Sequence, residues 1–224
     1  MHVGILGAGY DGLVLSIGMT MLGHHVTVID DDKNRIQALQ SGTQPLHSKA
    51  IVQKIRQYQK KGRLCFSDTF VSEWSEMDAL FLTKWTMEET LRQQILRCQD
   101  SFLSLHLFVT AMIEPGSCRL LQEWFDDELG VGMVKVATYP MHLLKRQGIQ
   151  DILKQNSIVL GYEDDQVQLL ASSLFAPLSP QPFRIQHVTW EAAEMMRNAE
   201  KILAASIPKV QMQEQSILPC ISWA

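Results

Sequence analysis

The feature that most constrains this fold is a cluster of three glycines directly after the first apolar segment. Residues 7–12 read G-A-G-Y-D-G, a G-x-G-x-x-G pattern, and follow a strand-like run at residues 3–6. A second strand-like run ends in Asp30, 18 residues after Gly12. In such a strand–turn–helix unit the glycines permit the tight turn, the approach of a pyrophosphate to the backbone, and close packing of helix on strand. The spacing therefore predicts a βαβ unit that binds a dinucleotide at the tip of its first helix.

The predicted cofactor-binding residues are those of the turn and helix tip together with the carboxylate that ends the second strand. They are Gly7, Gly9, Tyr10, Asp11, Gly12 and Asp30. The free N–H groups at the helix amino terminus attract phosphates, and Asp30 would accept hydrogen bonds from ribose hydroxyls. Asp31 and Asp32 beside it would repel a 2′-phosphate, so the predicted cofactor is NAD and not NADP. Asp11 stabilises the helix tip that the pyrophosphate would use, and the sequence leaves open whether its side chain repels the cofactor.

Short apolar runs alternate with longer helical patterns along the chain. Strands are predicted at residues 3–6, 26–29, 79–82, 105–109, 134–137, 157–160 and 183–185. Helices are predicted at residues 13–22, 33–40, 87–98, 117–129 and 166–175. A βαβα series with nearly continuous apolar strands implies helices on both faces of a parallel sheet. The predicted fold class is therefore α/β, a Rossmann-like doubly wound parallel sheet.

A last helix is predicted from about Thr189 because apolar residues recur there at helical spacing, and Pro208 should end it. We divide the chain into a Rossmann-like domain at residues 1–188 and this helix with a tail at 189–224. Two interpretations of the segment 189–207 stay open. It packs on its own sheet, or it makes a contact with a second copy or with a partner protein.

Composition excludes several other classes of protein. Lys and Arg number 20 against 24 Asp and Glu, a net charge of −4, so no basic field attracts nucleic acid or anionic lipid. No apolar run approaches the roughly 20 residues that a membrane-spanning helix needs. The four cysteines form no C-x-x-C pair and the histidines no i,i+4 pair, which argues against a disulfide framework and a metal site. With no basic leader at the start, these features predict a cytoplasmic protein.

The motifs resemble those of the UDP-glucose/GDP-mannose dehydrogenases, the nucleotide-sugar 6-dehydrogenase family. Residues 7–13 are similar to the family's G-x-G-Y-V-G-L, residues 22–30 to L-G-H-x-V-T-x-x-D, and residues 62–68 to G-R-L-x-F-T-x-D. Residues 157–161 resemble the strand R-I-V-I-G, and residues 193–196 the start of the family's central helix. The resemblance covers nearly all of this chain but only the first half of a family member. It implies an NAD-binding domain followed by a truncated central helix.

The same resemblance implies that the catalytic residues are replaced. Family members oxidise a sugar C6 alcohol by hydride transfer to NAD, with a cysteine nucleophile and supporting Thr, Glu, Lys and Asn side chains. The Thr and the Glu positions align with Met112, Met141 and Lys145, and the Lys and Asn positions with Arg197 and Lys201. Met cannot transfer a proton, and Arg cannot be deprotonated. The nucleophile loop and the UDP-binding second domain have no counterpart here.

Three further residues or groups belong to this comparison. The family's V-G-T-P cofactor loop falls on residues 83–86, where Trp85 either stacks on a base or packs and blocks the groove. Cys220 lacks a neighbouring base and is interpreted as a tail thiol without a catalytic role. We hypothesise an anion-binding site at the place of the family's catalytic cleft, formed by the cationic side chains of Lys145, Arg197 and Lys201.

Two functions are therefore weighed. The first is a catalytically inactive module that binds NAD or another adenine nucleotide and acts as a homodimer or through a partner dehydrogenase. The second is an active NAD-dependent nucleotide-sugar 6-dehydrogenase that needs a partner chain or uses other residues. Hydride transfer needs an acid or base within reach of the substrate hydroxyl, and the family's positions hold none, so the first is favoured.

Overall fold

A computed structural model of the protein describes residues 1–43, 49–69, 77–99, 104–141, 149–154, 157–178 and 184–199. Its strands are β1 (His2–Leu6), β2 (His25–Ile29), β3 (Leu64–Ser67), β4 (Ala79–Leu82), β5 (Leu105–Val109), β6 (Val134–Thr138), β7 (Ser157–Gly161) and β8 (Arg184–Val188). Its helices are α1 (Tyr10–Met21), α2 (Lys33–Ser41), α3 (Lys49–Lys60), α4 (Glu88–Arg97), α5 (Ser117–Leu129), α6 (Ile149–Leu153) and α7 (Asp165–Phe175). The helical residues 190–199 are named α8.

The described strands form one sheet in the order β3-β2-β1-β4-β5-β6-β7-β8. Every pair from β3 to β6 is parallel, and the order reverses between β1 and β4. This is the doubly wound arrangement, so the predicted fold class is confirmed. One detail differs from a wholly parallel sheet: β7 pairs antiparallel with β6 through Thr138 and Gly161, and β8 is parallel to β7. The carboxyl ends of β1–β6 therefore meet along one edge.

The central strands β1, β4, β5 and β6 form because their apolar runs are buried from both sides. One apolar cluster joins the sheet to α1, α3, α6 and α7, and a second joins it to α4, α5 and the start of α8. In α1 all residues from Gly12 to Thr20 are buried, which makes it the most enclosed of the described helices near the site. Burial on both faces holds the carboxyl ends of the central strands in fixed positions.

Three described elements were not predicted from the sequence. In α3 the buried side chains are Ile51 and Ile55, an apolar stripe too narrow to stand out among polar residues. In β3 only Leu64 and Phe66 are buried, because it lies at one edge of the sheet. The third, α6, has five residues. Pro208 and the rest of the predicted 189–207 segment beyond residue 199 lie outside the described residues.

Candidate functional site

The turn between β1 and α1 is closely packed at two of its glycines. Gly7 has a φ of +108°, and its N–H donates to the Ile29 carbonyl at 2.8 Å. A Cβ on Gly7 would lie 2.6 Å from the Thr83 hydroxyl oxygen, and one on Gly12 only 1.9 Å from the Gly7 carbonyl oxygen. These two residues are glycine because the fold leaves no room for a side chain. The turn geometry and the helix–strand packing expected of them are both present.

Gly9 differs from its two neighbours in the motif because it faces open space. It is the N-cap of α1 with φ −72° and ψ −177°, an extended conformation open to any residue, and no side chain caps the helix there. A Cβ on Gly9 would meet nothing within 4 Å. Packing therefore does not require a glycine at this position, whereas the close approach of a ligand to the backbone does.

A cavity of about 310 Å³ opens at this point. The residues that line it are Gly9, Tyr10, Asp11, Gly12, Asp30, Arg35, Thr83 and Lys84. Five of the six predicted cofactor residues thus share one cavity at the amino terminus of a helix, and Gly7 lies in the turn beneath them. Their contact with a cofactor stays a prediction, and the cavity lies at the helix tip, where phosphates would bind.

Asp30 ends β2 and is 1% exposed. One of its oxygens accepts from the Ala8 N–H at 2.6 Å, and the other accepts from the Asp32 N–H at 3.0 Å. The carboxylate therefore holds the glycine turn against the turn that follows β2. The Lys84 ammonium is a third contact, at 3.5 Å. A carboxylate has about four acceptor sites, so capacity remains for the predicted bond to a ribose hydroxyl.

Lys84 was missed by the sequence reasoning, although it lies in the segment that aligns with the cofactor loop. Its ammonium lies 2.6 Å from an Asp31 oxygen and 3.5 Å from an Asp30 oxygen. The hydrogen bond from Lys84 lowers the pKa of Asp31. Burial, the largest single effect, lowers the pKa of Lys84, but its bonds and charge interactions with Asp31 and Asp30 together outweigh it, so that pKa is raised. Acidic charge beside the cavity is thus partly neutralised.

The orientation of Asp11, which the sequence left open, is resolved by an ion pair. An Asp11 carboxylate oxygen accepts from Arg197 Nη2 at 2.6 Å. The Arg197 side chain is 4% exposed, and it also donates to the carbonyls of Thr110 at 3.1 Å and Met141 at 2.6 Å. The Asp11 charge is therefore paired with a guanidinium on α8 and does not face a phosphate uncompensated.

The carboxylate of Glu194, on α8, anchors this helix to α5. Its side chain is buried and accepts from the Gly116 and Cys118 N–H groups at the amino terminus of α5. Asn198 donates to the Ile113 carbonyl at 2.8 Å. The sequence reasoning missed Glu194; the available signal was Gly116, which places a residue without a side chain at the N-cap of α5. Together with Arg197, these contacts fix α8 on the segment between β5 and α5.

Some of the positions that align with the family's catalytic residues are described in the structure, and their side chains have little capacity to transfer a proton. Met112 is 52% exposed, and Met141 is fully buried. Burial raises the pKa of the Cys118 thiol well above its ordinary value, which makes it a poor nucleophile. The other residues in question, Lys145, Lys201 and Cys220, lie outside the described residues, and with them two members of the hypothetical anion site.

Two further expectations concern Trp85 and metal ions. Trp85 begins a 3₁₀ turn (Trp85–Met87) and packs partly buried against the second apolar cluster, which favours packing over base stacking. Within the described ranges, no group of three His, Cys, Asp or Glu side chains is arranged to hold a metal ion. In the same ranges, no helix is both long and apolar enough to cross a bilayer.

Comparison with known proteins agrees with the motifs. Residues 1–98 match the model of the UDP-glucose/GDP-mannose dehydrogenase family, NAD binding domain. The UDP-glucose 6-dehydrogenase of Rickettsia typhi is 26% identical over 215 residues, covering 92% of this chain and 49% of the relative. The UDP-glucose 6-dehydrogenase YwqF of Bacillus subtilis is 24% identical over 216 residues, and the alignment covers 92% of this chain and 48% of YwqF. The chain spans about half the length of these relatives.

Solved structures agree on the fold. A ternary complex of GDP-mannose dehydrogenase from Pseudomonas aeruginosa superposes with a TM-score of 0.80 at 22% identity, over 92% of this chain and 50% of that one. A UDP-glucose dehydrogenase from Pyrobaculum islandicum gives 0.77 at 20% identity, over 90% and 49%. Domains of this type take NAD, which supports the predicted cofactor. The amino-terminal part of this chain is thus an NAD-binding domain of the UDP-glucose/GDP-mannose dehydrogenase type.

Proposed function

We propose that this chain binds NAD at the glycine turn and is catalytically inactive by itself, so that it acts as a nucleotide-binding module. The observation that carries the proposal is the open side of Gly9 in a cavity at an uncapped helix amino terminus. Gly7 and Gly12 are explained by packing, but Gly9 is not. Backbone N–H groups and the partial positive charge of α1 are suited to a pyrophosphate at that place.

The proposed inactivity rests on the side chains at the catalytic edge. Bound NAD supplies a hydride acceptor, but a dehydrogenase also needs a group that takes the proton of the substrate hydroxyl. The described side chains at the aligned positions are Met112, Met141 and Arg197. The first two cannot take a proton, and the third stays charged and is engaged by Asp11 and two carbonyls.

The alternative is an active nucleotide-sugar dehydrogenase whose remaining groups come from a partner chain. The alignments cover 92% of this chain but only about half of each relative, so the other half of a dehydrogenase would lie outside the aligned residues. Met195 and Met196 on α8 are 60% and 37% exposed, which supports a contact through the 189–207 segment with a second copy or a dehydrogenase. Cytoplasmic localisation belongs to the same proposal.

The test is calorimetric titration of the full chain with NAD, followed by an assay for NADH with UDP-glucose and GDP-mannose. We expect binding of NAD and no NADH from either sugar nucleotide. Formation of NADH by the chain alone would contradict the inactivity and support the alternative. Absence of any binding at millimolar NAD would remove both functions.

A further inference from the structure

The guanidinium of Arg197 joins three parts of the protein at the carboxyl edge of the sheet. Its Nε donates to the carbonyl of Thr110, which follows β5, and its Nη1 donates to the carbonyl of Met141, which lies beyond β6. Its Nη2 donates to Asp11 in the first turn of α1. With 4% of the side chain exposed, the guanidinium is enclosed by these partners.

This position matters because a doubly wound sheet binds a dinucleotide as two halves across the crevice where the strand order reverses. The pyrophosphate lies at the tip of α1, the adenosine half lies over β1, β2 and β3, and the second nucleoside lies over β4, β5 and β6. The link from Asp11 through Arg197 to Thr110 and Met141 crosses from the pyrophosphate position to the ends of β5 and β6. The link therefore lies at the part of the sheet edge where such a fold holds the second nucleoside.

The cavity at the glycine turn includes Asp11 of this link in its lining. Apart from the helix tip, it is lined by Asp30 and Arg35, from the end of β2 and from α2, and by Thr83 and Lys84 after β4. Asp30 and Arg35 lie on the half that takes the adenosine ribose in such a fold. Lys84 follows β4, but its ammonium is paired with Asp31 and Asp30 on that same half. To admit a second nucleoside at this place, Arg197 would have to break its hydrogen bonds to two carbonyls and to the Asp11 carboxylate.

We propose that the site recognises the adenosine diphosphate part of its ligand and makes no binding contact with a nicotinamide riboside. The ligand class is then any nucleotide that presents an unhindered adenosine diphosphate, with NAD as one member. The inference rests on the proposed function, because it places the nucleotide at the same glycine turn. It adds that the Asp11–Arg197 ion pair is a specificity-determining element.

The first test compares four ligands on the full chain by calorimetry: NAD, ADP-ribose, ADP and nicotinamide mononucleotide. ADP-ribose and ADP are expected to bind within about threefold of NAD, and nicotinamide mononucleotide not to bind at millimolar concentration. Saturation-transfer NMR on the NAD complex shows, within one ligand, which parts of NAD contact the protein. Adenine protons should receive strong saturation from the protein and nicotinamide protons little.

The second test removes the ion pair in the double variant Asp11→Ala/Arg197→Ala. Its affinity for NAD relative to ADP should rise at least threefold, and nicotinamide protons should begin to receive saturation. The matched control is Arg119→Ala/Glu191→Ala, which removes another ion pair between α8 and α5, with 2.8 Å between Nε and Oε1. Neither of its residues lines the cavity. The control should keep the wild-type ligand ratios.

The outcomes separate this inference from the proposed function. If wild-type NAD binds more than tenfold tighter than ADP and ADP-ribose, or if nicotinamide protons saturate as strongly as adenine protons, the inference is wrong while NAD binding stands. If none of the adenine nucleotides binds, the proposed function fails and the inference with it. Where the double variant does not fold, the wild-type ligand series still decides.

Discussion

Replacement of Gly9 by alanine separates the needs of folding from those of binding. The backbone at Gly9 is extended, with φ −72° and ψ −177°, and the new Cβ would meet no atom within 4 Å. Alanine reduces the entropy of the unfolded chain, which stabilises the fold by about 0.4–1 kcal/mol. As an N-cap it is poorer than glycine by a comparable amount. The two effects offset, so the free energy of unfolding should stay within about 1 kcal/mol of wild type.

Binding should respond far more strongly to the same methyl group. The methyl would occupy the space that a pyrophosphate needs to reach the N–H groups at the tip of α1. A hydrogen bond to a charged group contributes roughly 1.5–3 kcal/mol, and about 1.4 kcal/mol corresponds to a factor of ten in Kd. Loss of a single such bond should therefore weaken NAD binding at least tenfold, and loss of two by a hundredfold or more.

The assay pairs thermal unfolding with calorimetric titration of NAD, and Gly12→Ala is the contrasting variant. A Cβ on Gly12 would lie 1.9 Å from the Gly7 carbonyl oxygen, so that variant should lose about 3 kcal/mol or more of stability. If Gly9→Ala folds and binds NAD within twofold of wild type, the nucleotide does not approach the glycine turn. That result would refute the assignment of the site.

Three further predictions concern structure away from the cavity. Glu194→Ala should lower the free energy of unfolding by about 2–4 kcal/mol in chemical denaturation, because the half-buried Gly116 N–H and the buried Cys118 N–H at the start of α5 lose a charged acceptor. The more exposed Glu191→Gln should change that free energy by less than about 1 kcal/mol, and equal effects would exclude the capping role. Iodoacetamide should modify the exposed Cys65 and spare the buried Cys118, whose pKa is raised by burial, and peptide mapping that finds Cys118 modified in the folded chain would contradict this. Burial lowers the pKa of His24 below 6.5, so the unfolded chain binds more protons than the folded chain below that pH. The free energy of unfolding should therefore fall on acidification in this range, and it should fall less steeply in His24→Asn. Identical pH profiles of unfolding for the two proteins would show that His24 makes no contribution.

The sequence alone predicted the fold class and most of the elements that position the site. Apolar strands alternating with amphipathic helices predicted a doubly wound sheet, because such strands must be covered on both faces. The glycine pattern predicted the turn, and its spacing from Asp30 predicted which strand lies beside it. These are local signals, carried by residues a few positions apart. Short or weakly apolar elements such as β3, α3 and α6 carry too little of that signal.

The contacts that decide the chemistry of the site join residues far apart in the chain. Asp11 and Arg197 are 186 positions apart and form one ion pair, and Lys84 reaches Asp31 across 53 positions. A sequence shows that a charge is present, but its partner depends on how helices and strands pack at the sheet edge. The orientation of Asp11 and the enclosure of Arg197 over β5 and β6 therefore followed only from the tertiary structure, because the pairing of a charge is a property of its surroundings in space.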